Sequence, residues 1–131
     1  MTPEIKYRIS CELEDLPVRG NACASGDEAQ DKEVEDRVLA ELEHNPWAWC
    51  SVGVTVTIRV DVDDDYFTFI GHDHLGCCSY KSQADFEADG YFEDMKKNAL
   101  VEAKLEMERS VKRGQTAAEL LKVLQSQSQS T

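Results

Sequence analysis

From Ala48 to Val62 every even-numbered residue is apolar: Ala48, Cys50, Val52, Val54, Val56, Ile58, Val60 and Val62. The odd positions carry Ser51, Gly53, Thr55, Thr57, Arg59 and Asp61, with Trp47 and Trp49 ahead of them. A period of two over this length sets one face against a core and the other toward water, and β-branched side chains favour the extended backbone. The chain is therefore expected to build around one long strand, with the two tryptophans on its polar face near the point of entry.

The neighbouring segments supply partners for that strand. Ile5, Tyr7, Ile9, Cys11 and Leu13 alternate with Lys6, Arg8, Ser10, Glu12 and Glu14, which is a half-buried first strand. "DVDDD" reads as a turn near Asp63–Asp65, and "YFTFIGHDH" as the returning arm of a hairpin. Between the first two strands, Val34, Val38 and Leu42 recur every four residues with Leu39 beside them. This is an amphipathic helix that starts at Ser25 or Asp27 and ends before Pro46. Ser82 with Asp85 marks a short helix that Gly90 interrupts. A longer helix is expected from Tyr91 to about Arg113 on the stripe Phe92, Met95, Ala99, Ala103, Met107 and Val111, closed by Gly114 as a C-cap. Thr116 would start a short last helix carrying Ala117, Leu120, Leu121 and Leu124. The expected fold is α+β: a three-stranded antiparallel sheet in strand-helix-strand-strand-helix order with helices packed on one face. Residues 1–125 form a single domain, and 126–131 ("SQSQST") a disordered polar tail.

Charge narrows the function classes. The 131 residues carry a formal net charge of −12, unevenly placed. Residues 1–95 hold 22 acidic and 7 basic side chains, and residues 96–131 hold 4 and 7. A body at −15 repels phosphate backbones, so direct nucleic-acid binding is not expected, whereas a basic protein surface would attract it. No apolar run approaches the roughly 20 residues of a membrane span. The opening "MTPEIKYRIS" lacks the basic-then-apolar order of a signal peptide, so a cytoplasmic setting is expected. Five cysteines, with Cys77 and Cys78 adjacent, suit reduced thiols better than a disulfide framework, and Cys11 and Cys50 fall on apolar strand faces.

The chemistry-bearing residues are few. His72, His74, Cys77 and Cys78 are weak metal candidates: all four are permitted zinc ligands, but adjacent cysteines rarely both reach one tetrahedral ion. The same four are the basis of a second reading, a small zinc-binding or thiol enzyme. Asp61, Asp63, Asp64 and Asp65 lack the glycine and distant glutamate of a calcium loop and read as a solvated turn. No catalytic constellation and no cofactor site is expected. Trp47 and Trp49, if exposed beside acidic side chains, would make a protein-binding hot spot together with Asp61, Asp63, Asp64 and Asp65. The wide stripe of the long helix 91–113 also makes a homodimer a third reading.

"NPWAWCSVGVTVT" followed by "LGCCSYKSQADFEADGYFEDMKKNAL" resembles a family of short phage- and prophage-encoded proteins that share the pattern NPWAWC…CSYKSxxDFxxDGYFxDM. The resemblance spans roughly Leu42 to Leu100. The family's hairpin is shorter, and His72 and His74 lie outside its pattern. What the resemblance implies is context rather than chemistry: a small acidic protein similar in class to anti-CRISPR and other host-takeover factors, which act by binding a host protein. The function expected is thus a non-enzymatic inhibitor of a basic, nucleic-acid-binding host protein.

Overall fold

The computed structural model describes residues 2–129. The elements are β1 (Glu4–Leu13), α1 (Glu28–Leu42), a 3-10 turn (Pro46–Ala48), β2 (Cys50–Val62), β3 (Asp65–Cys78), α2 (Gln83–Glu87) and α3 (Gly90–Gln129). The three strands form one antiparallel sheet in the order β1-β2-β3. This is the expected α+β architecture, with β2 at its centre. No helix among the described residues is long and apolar enough to cross a membrane.

The alternation of β2 sets the two faces. Cys50, Val52, Val54, Val56 and Ile58 are buried on one of them. Each fully buried valine or isoleucine contributes roughly 1.5–3 kcal/mol relative to exposure. Register carries the same face across the sheet, with Cys11 opposite Val52, Ile9 opposite Val54 and Phe69 opposite Ile58. α3 lies on this face, mainly over β3 and less over β2. It buries Met95, Ala99 and Ala103, with Phe92, Leu100 and Met107 half-buried beside them.

The helix can approach so closely because β3 has Gly71 beneath it. A Cβ at that position would overlap the Ala99 carbonyl oxygen and come within 2.7 Å of the Ala103 nitrogen. Two small helical residues over a glycine therefore fix the line along which α3 crosses the sheet. Asn98 Nδ2 adds a hydrogen bond to Asp73 Oδ2 at 3.0 Å.

Local signals explain most element ends. Asp27 caps α1, accepting from the Ala29 and Gln30 N–H groups, and Asn45 caps the 3-10 turn by accepting from Trp47 N–H. Ser82 caps α2. The hairpin turns through Asp63 and Asp64, with Asp63 at φ 56°, a region that short polar side chains tolerate.

Three expectations are corrected. Gly114 does not end a helix: α3 runs unbroken for 40 residues, so the short last helix is its continuation. The flanking Leu, Ala, Lys and Glu residues are good helix formers and outweigh one glycine. Residues 126–129, expected to be a disordered tail, extend the same helix, while 130 and 131 lie outside the described residues. The apolar face of β1 is not fully covered either: Ile5 and Tyr7 are each 45% exposed, because α3 sits over the other two strands.

Gly71→Ala is expected to destabilise the protein by about 3 kcal/mol, at the upper end of overpacking costs, because backbone rather than a flexible side chain stands in the way. Urea unfolding of the two proteins measures it, and a change under about 0.5 kcal/mol would mean that α3 does not rest on this glycine.

Candidate functional site

The two tryptophans part company at the 3-10 turn. β2 begins only at Cys50, so Trp47 lies outside the strand alternation. Its ring turns toward the core, stacked on Phe86 at 5.9 Å between centroids and edge-on to Tyr80 at 6.4 Å. Phe86 is fully buried and also meets Phe92. Trp49 is 3% exposed, and its Nε1–H donates to the Leu16 carbonyl at 2.8 Å. The loop after β1 thus covers it. That loop is tied to α1, since Arg19 pairs with Glu35 and Asp36, and Gly20 N–H donates to Glu35 at 2.7 Å. The condition of exposure set for the tryptophan hot spot is not met: Trp49 is buried and Trp47 is half-buried against Phe86 and Tyr80.

The histidine–cysteine set does not assemble. Opposite β2, Leu75 faces Val52 and Cys78 faces Cys50, so β3 spends one more residue than β2 between these pairs. This bulge at Gly76–Cys77, with Cys77 at φ 55°, reverses the side-chain parity of β3. Cys78 therefore turns into the core next to Cys50, while Cys77 is exposed. His72 and His74 remain on the opposite, open face of the sheet. Among the described residues no group of three or more His, Cys, Asp or Glu side chains is placed to hold a metal ion. The bulge is held from β1's end: Cys77 N–H donates to Glu14 Oε2 at 2.8 Å. That bond, with a second from Leu16 N–H, keeps the Glu14 carboxyl below its ordinary range.

The buried thiols are poor nucleophiles. Burial, reinforced by the neighbouring Cys11 thiol, pushes Cys50 up to about 12. Burial pushes Cys78 up to about 11. Near neutral pH both are protonated, and the thiolate is the reactive form.

The open face of the sheet is a polar surface of mixed charge. β1 contributes Lys6, Arg8 and Ser10, β2 Thr55, Thr57 and Arg59, and β3 His72 and His74, placed together by register. Thr55 Oγ1 and His72 Nδ1 are 3.1 Å apart. Gly53 leaves room for Ser10 and His74 to lean over it, since a Cβ there would lie 2.6 Å from Ser10 Oγ. Register also places Glu4, Glu12 and Asp61 here, balancing Lys6, Arg8 and Arg59, so the excess acid lies elsewhere.

Part of it lies at the hairpin tip. Asp61, Asp63, Asp64 and Asp65 are all exposed. Among the described residues Asp61 is the one member of this cluster in an ion pair, with Arg59 Nε at 3.1 Å. The guanidinium of Arg59 also lies 4.1 Å above the Tyr66 ring centre, which fixes that ring on the open face. Phe67 projects from the other face, and the two rings are 54% and 53% exposed. The hairpin tip thus gathers four carboxylates and two half-exposed aromatic rings, one on each face of the sheet. Sequence reasoning looked for the aromatics at Trp47 and Trp49; the available signal was "DDDYF" itself, two large rings directly after a turn.

A concavity of about 630 Å³ lies between α1 and the 79–85 segment, walled by Val34, Val38, Arg37, Glu41, Lys81 and Asp85. Its charged groups are two of each sign. Compared with known proteins, the chain matches no family model, no curated protein and no solved structure.

In the native protein at neutral pH, Cys77 is expected to react with an excess of iodoacetamide while Cys50 and Cys78 stay unmodified until denaturant is added. Peptide mapping reads this directly. Rapid native labelling of Cys78 would contradict the bulge-driven turn into the core.

Proposed function

We propose that this is a phage-type accessory protein that acts by binding rather than by catalysis. In this reading it blocks a basic, nucleic-acid-handling surface of a host protein in the cytoplasm, as an anti-CRISPR factor would, with acidic side chains standing in for phosphates. The hairpin tip carries the proposal: Asp61, Asp63, Asp64 and Asp65 supply the charge, and Tyr66 and Phe67 supply apolar anchors in place of Trp47 and Trp49. Charge steers the encounter and selects the partner, and desolvated rings supply most of the holding energy. The −15 balance of residues 1–95 supports a basic partner and disfavours direct contact with nucleic acid. The resemblance to phage-encoded proteins supports the host setting. The turn of Cys78 into the core, away from His72 and His74 on the open face, favours this reading over a zinc or thiol enzyme. A homodimer is compatible with it, since the sheet occupies only the first half of α3.

Capture from host lysate tests the proposal. The wild-type protein is expected to retain one stoichiometric partner that also binds duplex DNA, and DNA should compete for it. Asp63→Asn/Asp64→Asn/Asp65→Asn should abolish capture at 0.15 M salt, where charges are screened beyond about 8 Å. Phe67→Ala should weaken affinity at least ~10-fold, or about 1.4 kcal/mol. Capture indifferent to salt and to the triple substitution would refute the electrostatic contact.

A further inference from the structure

α3 leaves its own sheet halfway along. Phe92 to Met107 pack on the strands, but residues 111–126 are all exposed. Within this free half, Leu120, Leu121 and Leu124 are each more than half exposed. With Ala117 they follow the i, i+3, i+4, i+7 spacing of a buried stripe. At about 100° per residue, this stripe continues the line of Met95, Ala99 and Ala103. The helix thus carries one apolar face along its whole length, and its own sheet uses half of it.

The sheet has the complementary vacancy. On the face that α3 occupies, Ile5 and Tyr7 of β1 form a half-covered apolar strip beside the helix, each 45% exposed, with Lys96 Nζ 5.5 Å from the Tyr7 ring centre. The free half of α3 cannot fold back onto it, because a straight 40-residue helix spans about 60 Å and carries that half away.

We propose that the occupant of this strip is the free half of α3 from a second copy of the chain. The two α3 helices run antiparallel about a two-fold axis near Ser110–Gly114. Each lays Ala117–Leu124 along the partner's strip and beside the partner's packed half. Such a contact is isologous, so the stripe of each copy is buried by the same operation.

Four observations favour a second copy over another molecule. The overall charges are of opposite sign: residues 111–129 hold three basic side chains and one acidic, residues 1–95 stand at −15, and the packed half 92–107 holds four acidic side chains and three basic. The area is sufficient. The single chain exposes 9375 Å². A compact monomer of 14.8 kDa exposes about 7000 Å², and a standard interface needs only about 800 Å² from each partner. The packed and free halves match in length, so an antiparallel pair aligns each free half with a packed one. Finally, Gly114 weakens a helix, and a Cβ there would meet nothing within 4 Å in the single chain. A glycine one turn after Ser110 is what a close helix crossing requires.

Sedimentation equilibrium of the full chain from 1 to 100 µM tests this. The wild type is expected to be a dimer at the upper concentrations. Leu120→Asp/Leu121→Asp/Leu124→Asp should be a monomer with an intact sheet, since those side chains are each more than half exposed and lie outside the core clusters. Ile5→Lys/Tyr7→Lys should also weaken the dimer at least tenfold; if it leaves the dimer intact, the helices pair without docking on the sheet and the proposal fails. Gly114→Leu raises helix propensity yet should weaken the dimer at least tenfold, whereas a tighter dimer would overturn the crossing. A wild-type monomer at 100 µM, including one that binds anionic vesicles through the stripe, would overturn the proposal outright. The hairpin variant Asp63→Asn/Asp64→Asn/Asp65→Asn should remain dimeric, which separates this result from that of the host-binding reading.

Discussion

The close seat of α3 on Gly71 is the contact on which the rest of the arrangement depends. Packing a helix on a sheet normally places side chains between the two layers. Here a glycine below and two alanines above bring backbone nearly against backbone. That fixes both the height and the line of the helix. The valines of β2 and the aromatic group around Phe86 then close the core on one side of that line. On the other side β1 stays partly bare, and beyond Met107 the helix runs off the sheet. The bare part of β1 follows from that line, and the exposed half of α3 from a 40-residue helix outrunning a 14-residue strand.

The same geometry separates the molecule's surfaces by character. The open face of the sheet gathers Lys6, Arg8 and Arg59 with balancing carboxylates and two histidines, and the hairpin tip gathers aspartates with Tyr66 and Phe67. Buried thiols are held protonated in the core, and among the described residues no group of three or more potential metal ligands joins them to the histidines. A protein built in this way offers shaped and charged surfaces. This is why its function is sought in what it binds, with the hairpin tip and the free half of α3 as separate surfaces.

Much of the fold was legible because its signals are periodic. The even-numbered apolar run defined β2, the four-residue recurrence defined α1, and the aspartates marked the hairpin turn. The misjudged parts are those where a single residue changes phase. The 3-10 turn at Pro46–Ala48 takes Trp47 out of the strand alternation and sends it into the core. The bulge at Gly76–Cys77 flips Cys78 away from His72 and His74. Neither shift leaves a mark in a two-residue period. Gly114 was misread for a related reason: a C-cap glycine and a glycine inside a helix look alike unless the packing around them is known. The candidate site was legible in its charge, since the aspartates lie where the turn places them. Its aromatics were sought at the wrong end of β2, because burial of a tryptophan depends on a distant loop.

The central claim is that α3, seated on Gly71, has one half that serves this sheet and one half that serves another molecule. Backbone hydrogen exchange along α3, followed at 1 µM and at 100 µM protein, tests it most directly. An isolated helix of this length is marginal in water, so its free half should be protected only when covered. The account predicts slow exchange over residues 92–107 at both concentrations, and exchange over residues 113–125 that slows markedly at the higher one. Fast exchange over 113–125 at both concentrations, or uniform protection along the whole helix at both, would contradict it.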